Sequence, residues 1–488
     1  LKTSFSMELW QILCLFSYCL IVAVLGGYGI HRYNLLKLYR KHRNKKTKSP
    51  IKLSTLPSVT IQLPLYNELH VAQRIIEATS KLDYPKDRLH IQVLDDSTDQ
   101  TREYASHSCS RLTQHGFNIS YKSRNNRTGY KAGALASALK TVNSQLILIL
   151  DADFIPPPDL LKNTVHYFSD PKVGMVQTRW GHLNRSHSLL TRIQSIFLDG
   201  HFVIEHIARS SSGRFFNFNG TAGIWRKEAI VDAGGWEHDT LTEDLDLSYR
   251  AQLRGWKFLY LHDIEVPGEI PVEMNSFKSQ QQRWTKGAVQ VSKKILPRIW
   301  ASNFQNKIKI EATLHLTANI CYPLMLTMGL LTVPILEIRQ QIGWIRIFII
   351  DLPLFAFSTV AISSFYLSSQ QALYSDWKKQ IKLLPLLMAI GMSLCINNTR
   401  AVIEGWMGVQ TPFERTPKYG ITDKESGPTK RLYGKARQVT ACVELAMASY
   451  FSFAIYSAWH TGLYLGLPFL ILFHIGFLYT GTLSLKGK

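Results

Sequence analysis

The sequence predicts an α/β domain inserted between membrane-spanning helices. Three observations indicate it. Apolar runs near the start of the chain and beyond Glu311 reach the roughly 20 residues that cross a bilayer. Between these runs, short apolar strands alternate with helical segments, which is typical of a sheet wound with helices. One apolar run, 145–154, ends abruptly in two carboxylates, as expected of a buried central strand that opens into a ligand crevice.

The charge balance points to a membrane surface. The 488 residues include 56 Lys and Arg against 35 Asp and Glu, a formal net charge of +21. The basic residues concentrate beside the apolar segments, where they suit an anionic bilayer surface. The soluble part has no basic stripe interleaved with aromatics, so we expect no nucleic acid partner. The 6 cysteines lack zinc or redox spacing, which excludes a disulfide framework and a cysteine metal cluster.

The first apolar segment, 9–30, has no charged residue and is followed by a strongly basic run without any acid up to residue 52. A signal peptide would have its basic residues before a shorter apolar core. The sequence therefore predicts a transmembrane helix over 1–31 and, by the positive-inside rule, a cytoplasmic basic linker over 32–54.

Two predicted strands in the next domain, 55–310, end in polar residues. The strand that begins at Val59 runs into Tyr66 and Glu68, and the strand that begins at Leu89 ends in Asp95 and Asp96. Successive parallel strands deliver such residues to one edge of the sheet, as in a Rossmann-like nucleotide crevice. The G-x-G-x-x-G fingerprint is missing, which argues against NAD and FAD and favours another nucleotide.

The central strand and a nearby lysine suit a diphosphate and a metal. Asp151 and Asp153 stand at i and i+2 on a rigid strand end, and magnesium prefers one or two carboxylates together with substrate phosphate oxygens. Lys131, in a turn that opens a helix, is placed to approach a diphosphate. The alternative interpretation is that Asp151 and Asp153 are incidental acids in a solvated turn and that Lys131 is a solvated lysine at a helix start.

Two later motifs have both a functional and an ordinary interpretation. T-E-D (242–244) stands just ahead of a helix, where an N-cap followed by two first-turn acids is also favoured by the helix dipole. In Q-x-x-R-W, the spacing i, i+3, i+4 puts the amide, guanidinium and indole on one helical face. That face suits sugar and phosphate binding, or an interfacial helix. The residues are Gln280, Arg283 and Trp284.

The remainder, 311–488, reads as a membrane domain. Four segments are long enough to span: 311–337, 343–367, 438–459 and 462–483. The stretch 381–397 is ambiguous. If it crossed, the basic loop that follows it would lie outside; if it lies along the interface, that loop is cytoplasmic. We therefore predict five spans in total, with an interfacial helix and loop over 381–437.

The four motifs D-D-S, D-A-D, T-E-D and Q-x-x-R-W, in this order, resemble those of family-2 processive glycosyltransferases, the cellulose, hyaluronan, chitin and mannan synthases. The resemblance covers about 55–300. It is closest to cellulose-synthase-like glucomannan mannosyltransferases and xyloglucan glucan synthases, from the stretches 177–185, 216–226 and 240–250. F-E-R-T-P-K (413–418) resembles the family's gating loop, F-x-V-T-x-K, with Arg415 in place of the valine. Phe218-Asn219-Gly220-Thr221 departs from the F-F-C-G-[ST] of bacterial cellulose synthases.

The resemblance implies a glycosyltransferase-A fold and an inverting transfer of a hexose from GDP-mannose or UDP-glucose to a growing β-linked polysaccharide that crosses the membrane. It implies Mg²⁺ or Mn²⁺ as cofactor. Asp244 becomes the general base, with Glu243 and Thr242 beside it, and Asp153 with Asp151 becomes the metal site. The resemblance assigns nucleotide-sugar contacts to Tyr66, Glu68, Asp95, Asp96, Lys131 and Asp151. It assigns acceptor and diphosphate contacts to Gln280, Arg283, Trp284, Asn219 and Thr221. It assigns gating to Thr416 and Lys418.

Expected partners are the nucleotide sugar, the polysaccharide and the lipid bilayer, and the sequence leaves open whether the chain forms a homo-oligomer. The catalytic domain is expected on the cytoplasmic side of the plasma membrane or, in a eukaryote, of the Golgi. Two alternatives stand beside this reading. One is a glycolipid synthase that adds a single sugar to a membrane lipid. The other is a transporter with a regulatory nucleotide-binding domain, which the lack of internal repeats among the spans disfavours.

Overall fold

A computed structural model describes residues 7–45, 47, 49–124, 126–342, 344–413, 415–422 and 438–486, without the side chains of 342, 344–356 and 358. Of the predicted loop over 381–437, residues 414 and 423–437 therefore lie outside the described part. The strands are β1 Val59–Leu65, β2 Leu89–Asp95, β3 Ile119–Ser123, β4 Leu146–Ile149, β5 Val173–His182, β6 Gly223–Arg226 and β7 Lys257–Gly268.

The helices of the first half of the chain surround this sheet. They are α1 Leu9–His42, α2 Ala72–Ser80, α3 Thr101–Gln114, α4 Tyr130–Leu139, α5 Leu160–Thr164, α6 Leu189–Asp199, α7 His206–Ser211, α8 Lys227–Asp232 and α9 Glu243–Leu253. A π-helix, Gly200–Glu205, joins α6 to α7.

The second half is helical. Its helices are α10 Met274–Ala301, α11 Asn306–Thr317, α12 Cys321–Leu330, α13 Thr332–Ile342, α14 Trp344–Leu373, α15 Leu384–Ser393, α16 Cys395–Met407, α17 Gln438–His460 and α18 Leu467–Lys486. Short 3-10 turns complete the secondary structure at Lys86–Arg88, Val165–Ser169, Ala318–Ile320, Trp377–Leu383 and Tyr464–Gly466.

The seven strands form one mixed sheet in the order β3-β2-β1-β4-β6-β5-β7. β1 pairs in parallel with β2 and β4, and β6 runs antiparallel between β4 and β5. In this register Leu65 lies beside Asp95, and Gln62 lies beside Ile149. The carboxyl ends of β1, β2 and β4 therefore open at one edge, where the predicted nucleotide and metal residues emerge.

Both faces of the sheet are covered, so its central strands are buried. Residues of α2 and α3 pack on one face in a cluster with Ile61 and Leu148. Residues of α1, α4, α7 and α9 pack on the other face in a cluster that contains Trp225. Every residue of β1 and of β4 is buried, as expected for strands with two covered faces.

α1 is longer than the predicted membrane segment 1–31. α1 continues to His42, so the first part of the predicted linker is helical. Leu35, Leu36 and Tyr39 are buried in the same cluster as Trp225. Their spacing puts them on one helical face, while the basic side chains between them extend from the other faces. The helix therefore joins the predicted membrane segment directly to the α/β domain.

Within the described residues, 4 helices are long and apolar enough to cross a membrane, or up to 5 if one bent pair counts as a span. These identify a membrane protein. The helical run 377–407, which we predicted to lie at the interface, meets the same criterion of length and composition. α14 has 30 residues, more than the roughly 20 that a span needs. The five-span arrangement and the interfacial placement of 381–397 stay predictions.

Candidate active site

The D-A-D motif leaves β4 at the open edge of the sheet, and each of its carboxylates faces a lysine. Asp151 Oδ1 accepts a hydrogen bond of 2.7 Å from Lys131 Nζ, and Asp153 Oδ2 accepts one of 2.6 Å from Lys418 Nζ. The backbone N–H of Asp151 donates to Thr221 Oγ1 at 2.8 Å. The predicted metal residues are therefore held by partners that are distant in the sequence.

Lys131 joins the D-A-D motif to the T-E-D motif. α4 begins after Gly129, whose φ of 71° is the left-handed conformation that glycine adopts without strain. Lys131 Nζ donates to Asp151 and, at 2.9 Å, to the carbonyl of Gly220. Burial lowers the pKa of Lys131, but the charges of Asp151, Glu243 and Asp244 outweigh that effect and raise it. An ammonium is therefore held between the two motifs.

Asp244 lies beside the backbone of Gly220. A Cβ atom at Gly220 would be 3.1 Å from Asp244 Oδ2, and the φ of Gly220 is +79°, so glycine is required at this approach. Burial, followed by the neighbouring charge of Glu243, raises the pKa of Asp244 to about 7. Burial also raises the pKa of Glu243. A carboxylate with such a pKa suits proton transfer near neutral pH.

Thr242 does not cap α9 with its side chain, as the interpretation of T-E-D as an N-cap and two first-turn acids required. It occupies the N-cap position of α9 but makes no side-chain capping bond. Its Oγ1 atom is buried and, among the described residues, has no hydrogen-bond partner. A Cβ atom at Gly287 of α10 would lie 2.6 Å from that oxygen and 2.9 Å from the backbone N of Thr242. Gly287, which no motif singled out, thus lets the Q-x-x-R-W helix touch the T-E-D motif.

Asn219, a predicted acceptor contact, lies in the loop between α7 and β6. Its side chain is held inside the protein: Oδ1 accepts from His201 Nε2 at 2.9 Å, and Nδ2 lies 2.5 Å from His206 Nε2. The amide therefore fixes the loop that presents Gly220 and Thr221, and its acceptor role stays a prediction. His201 lies in the π-helix between α6 and α7, a feature that sequence periodicity does not reveal.

Asp95 and Asp96, two of the predicted nucleotide contacts, have different hydrogen-bond partners. Asp95 is engaged internally, since its carboxylate accepts from Tyr121 Oη and from the N–H of Ser97, each at 2.8 Å. Asp96 receives the guanidinium of Arg124, which also holds the turn before α4 through the carbonyls of Thr128 and Tyr130. The carboxylate of Asp95 thus supports the strand end, and its contact with a nucleotide stays a prediction.

Tyr66 forms a stacking surface with a residue that no motif marked. The guanidinium carbon of Arg127 lies 3.2 Å from the centroid of the Tyr66 ring and 4.9 Å from that of Tyr130. A planar aromatic and guanidinium surface at the edge of the crevice suits a nucleotide base. The sequence hint for this residue was the N-R-T-G-Y-K turn, in which Arg127 is a second cation four residues before Lys131.

Two carboxylates at this edge, Asp151 and Asp153, suit a divalent cation, and the buried Glu68 lies near enough to feel their charges. Glu68 is buried, and its burial together with the charges of Asp153 and Asp151 raises its pKa to about 8, against the lowering effect of Arg415. Arg415 Nη2 lies 2.8 Å from Glu68 Oε1 as an ion pair. The donor set consists of hard carboxylate oxygens, as magnesium and manganese prefer. Asp151 and Asp153 would hold such an ion.

The segment that resembles a gating loop lies over these carboxylates. Thr416 Oγ1 accepts from Arg283 Nη2 at 3.0 Å, and the Arg283 guanidinium lies 4.9 Å from the centroid of Phe413. Arg283 also lowers the pKa of Glu243 in opposition to burial. Gln280 and Trp284 lie half-buried on the same helix. α10 therefore contacts both the T-E-D motif and the loop, and the acceptor role of Gln280 and Trp284 stays a prediction.

Residues 57–287 match the family described as "Glycosyltransferase like family 2". A glucomannan 4-beta-mannosyltransferase 2 of Arabidopsis thaliana is 44% identical over 277 residues, which are 54% of this chain and 52% of that protein. A glucomannan 4-beta-mannosyltransferase 1 of Cyamopsis tetragonoloba is 42% identical over 286 residues, 57% of this chain and 53% of that protein. The chain thus spans about half the length of the curated relatives it matches.

A solved structure agrees with the fold. The mannosyltransferase from Pyrobaculum calidifontis in complex with GDP-Man and Mn²⁺ superposes with a TM-score of 0.56 at 19% identity, and covers 80% of this chain and 100% of that one. At that identity the likeness concerns the fold, and it confirms the predicted glycosyltransferase-A architecture. The family match extends from β1 into the Q-x-x-R-W helix and includes all four motifs. Residues 57–287 are therefore similar to the family-2-like glycosyltransferases, and helices long and apolar enough to cross a membrane flank them.

Proposed function

We propose that this chain is a divalent-metal-dependent, inverting hexosyltransferase that extends a β-linked polysaccharide from a nucleotide-diphosphate sugar. The observation that supports it best is the position of Lys131. One ammonium contacts Asp151 of the D-A-D motif and the carbonyl of Gly220, against which Asp244 of the T-E-D motif lies. A site for the leaving diphosphate and a site for the base are thus adjacent.

The chain's own groups match the charges of the reaction. Asp244 accepts the proton of the acceptor hydroxyl as that oxygen attacks the anomeric carbon. Lys131, and Lys418 from the loop, stabilise the negative charge that develops on the diphosphate as the sugar–phosphate bond breaks. A divalent ion held by Asp153 and Asp151 would supply further charge stabilisation at the same oxygens. A single displacement inverts the anomeric centre, so an α-linked donor gives a β-linked product.

The substrate assignment rests on the relatives. The curated relatives reported above are named glucomannan 4-beta-mannosyltransferases, and the solved mannosyltransferase is a complex with GDP-Man. We propose GDP-mannose as the first donor to test, UDP-glucose as the second, and a β-linked oligosaccharide as acceptor. The metal is Mg²⁺ or Mn²⁺. The catalytic domain and the segment 415–422 share one side of the membrane, proposed to be the cytosolic side, where the donor is made.

The test is product analysis with the purified full chain, each radiolabelled donor and a β-linked manno-oligosaccharide. Labelled polymer is expected. Asp244→Asn should lower turnover by about 10²- to 10⁴-fold with little change in donor binding, because it removes the general base. Asp170→Asn is the control: it changes a partly exposed acid outside the motifs that is paired to Lys257. Label found only in lipid would favour the glycolipid alternative, and full turnover of Asp244→Asn would exclude Asp244 as the base.

A further inference from the structure

The carboxylate of Glu269 binds the backbone of the segment 415–422. Glu269 directly follows β7 and is 4% exposed. Its Oε1 atom accepts from the N–H of Tyr419 and its Oε2 atom from the N–H of Gly420, both at 2.9 Å. Two backbone donors thus share one buried carboxylate, and hydrogen bonds to an ionised acceptor are stronger than neutral ones. No motif in the sequence marks this residue.

Further contacts surround the same turn. Arg74 donates to the carbonyl of Gly420 at 3.3 Å, and Tyr419 Oη donates to Glu273 Oε1 at 3.2 Å. Gly420 has a φ of +73°, and a Cβ atom there would lie 3.1 Å from the carbonyl oxygen of His70. The turn therefore fits its position by its backbone, with glycine required at the closest approach.

The docked turn determines the position of the Lys418 ammonium. Lys418 immediately precedes the two amides that Glu269 binds, and its Nζ atom donates to the carbonyl of Glu269 at 2.8 Å as well as to Asp153 at 2.6 Å. A lysine side chain has many rotamers, and holding it in one of them costs entropy that a fixed backbone reduces. With the turn undocked, Lys418 would lose both its backbone anchor and its place at the candidate metal and diphosphate site.

We propose that Glu269 is a positioning residue of the transfer reaction: it docks the segment 415–422 over the donor site through two backbone amides and thereby sets Lys418 against Asp153. The role is specific for the backbone of the segment. It deepens the proposed function and rests on it for the identity of the reaction, while the docking itself is measurable without turnover.

The first test is hydrogen–deuterium exchange with mass spectrometry on the purified full chain. Glu269→Gln keeps the size of the side chain but offers one oxygen and one N–H to two donors. The peptide that contains 415–422 should exchange at least about tenfold faster, because a hydrogen bond to a charged group contributes roughly that factor. Peptides of β1 and β4 should be unchanged. Glu273→Gln is the control, since it leaves both amide bonds in place.

A second variant changes the turn itself, at Gly420. Gly420→Ala should also accelerate exchange in 415–422, since it introduces a strained φ and a close contact with the carbonyl oxygen of His70. Unchanged exchange in 415–422 for both variants would overturn the proposal. So would acceleration spread over the whole domain by Glu269→Gln together with a lowered melting temperature, because that pattern belongs to a general structural role.

Activity then distinguishes docking from the transfer reaction. If Glu269 acts through Lys418, Glu269→Gln should raise the KM for the donor or lower kcat, and should add little to the effect of Lys418→Met in the double variant. Fully additive losses would contradict action through Lys418. If the wild-type chain transfers no sugar while exchange responds as expected, the proposed function fails and the docking stands. If it transfers sugar while exchange is unchanged, only the docking fails.

Discussion

The Nζ atom of Lys418 lies 2.6 Å from Oδ2 of Asp153, so a lysine from the membrane half of the chain neutralises the second carboxylate of the D-A-D motif. The two residues are 265 positions apart in the sequence. Asp151 and Glu68 are neutralised in the same way by Lys131 and Arg415. The candidate metal site is thus a cluster of acids with its own set of cations, two of them supplied by the segment 415–422.

The first prediction concerns competition for Asp153. Lys418→Met should tighten binding of Mn²⁺ to the chain without donor, because the ammonium no longer competes for Oδ2. Asp153→Ala should abolish both metal binding and activity, since water cannot replace the charge of the lost ligand. Isothermal titration with Mn²⁺ measures the affinity, and Lys162→Met, a lysine paired to Asp83 at the surface, is the control. Weaker Mn²⁺ binding in Lys418→Met, or full wild-type activity in a chelator, would contradict the site.

The second prediction is a pH profile. Asp244 acts as a base only when deprotonated, and its pKa is raised to about 7. Therefore kcat/KM should rise about tenfold per pH unit below 7 and level off above it. Glu243→Gln removes a charge that raises this pKa, so the rising limb should move to lower pH. Lys131→Met removes a charge that lowers it, so the limb should move to higher pH. Shifts in the same direction would argue that the limb belongs to another group.

The third prediction tests the approach of α10 to the T-E-D motif. Gly287→Ala would place a methyl group within 2.6 Å of Thr242 Oγ1, and because the backbone N of Thr242 is also close, the start of α9 must shift. Overpacking of this kind typically costs about 1–3 kcal/mol. We expect a lower melting temperature and a larger loss of turnover, since Asp244 follows Thr242 by two residues. Gly27→Ala in α1, where nothing lies within 4 Å, should change neither.

The fourth prediction concerns topology. Because Arg415 and Lys418 contact Glu68 and Asp153, Gln410 just before them should lie on the catalytic side of the membrane. A cysteine at Gln410, in a chain without its native cysteines, should react with an impermeant thiol reagent only after cells are permeabilised. A cysteine at Thr461, in the short turn between α17 and α18, should react in intact cells. Labelling of Gln410→Cys in intact cells would place the catalytic domain outside, contrary to the positive-inside argument.

The parts that the sequence determined by itself are those whose physical cause is local. An aliphatic run bounded by polar residues is a strand wherever both its faces are covered, so β4 and the position of Asp151 and Asp153 at its end followed from adjacent residues. The same holds for T-E-D at the start of α9 and for Q-x-x-R-W on one face of α10. Long uncharged runs predicted membrane helices, because the cost of burying charge in lipid depends on composition alone.

Only the tertiary structure decided which distant residues meet. Three contacts depend on how elements pack, which no spacing along the chain encodes. They are those of Lys131 with Asp151 and Gly220, of Gly287 with Thr242, and of Glu269 with Tyr419 and Gly420. Packing also turned the amide of Asn219 inward to two histidines and extended α1 to His42. A local pattern determines which face of an element is apolar. The partner of each buried polar group depends on the whole fold, because leaving a buried donor or acceptor unpaired costs free energy.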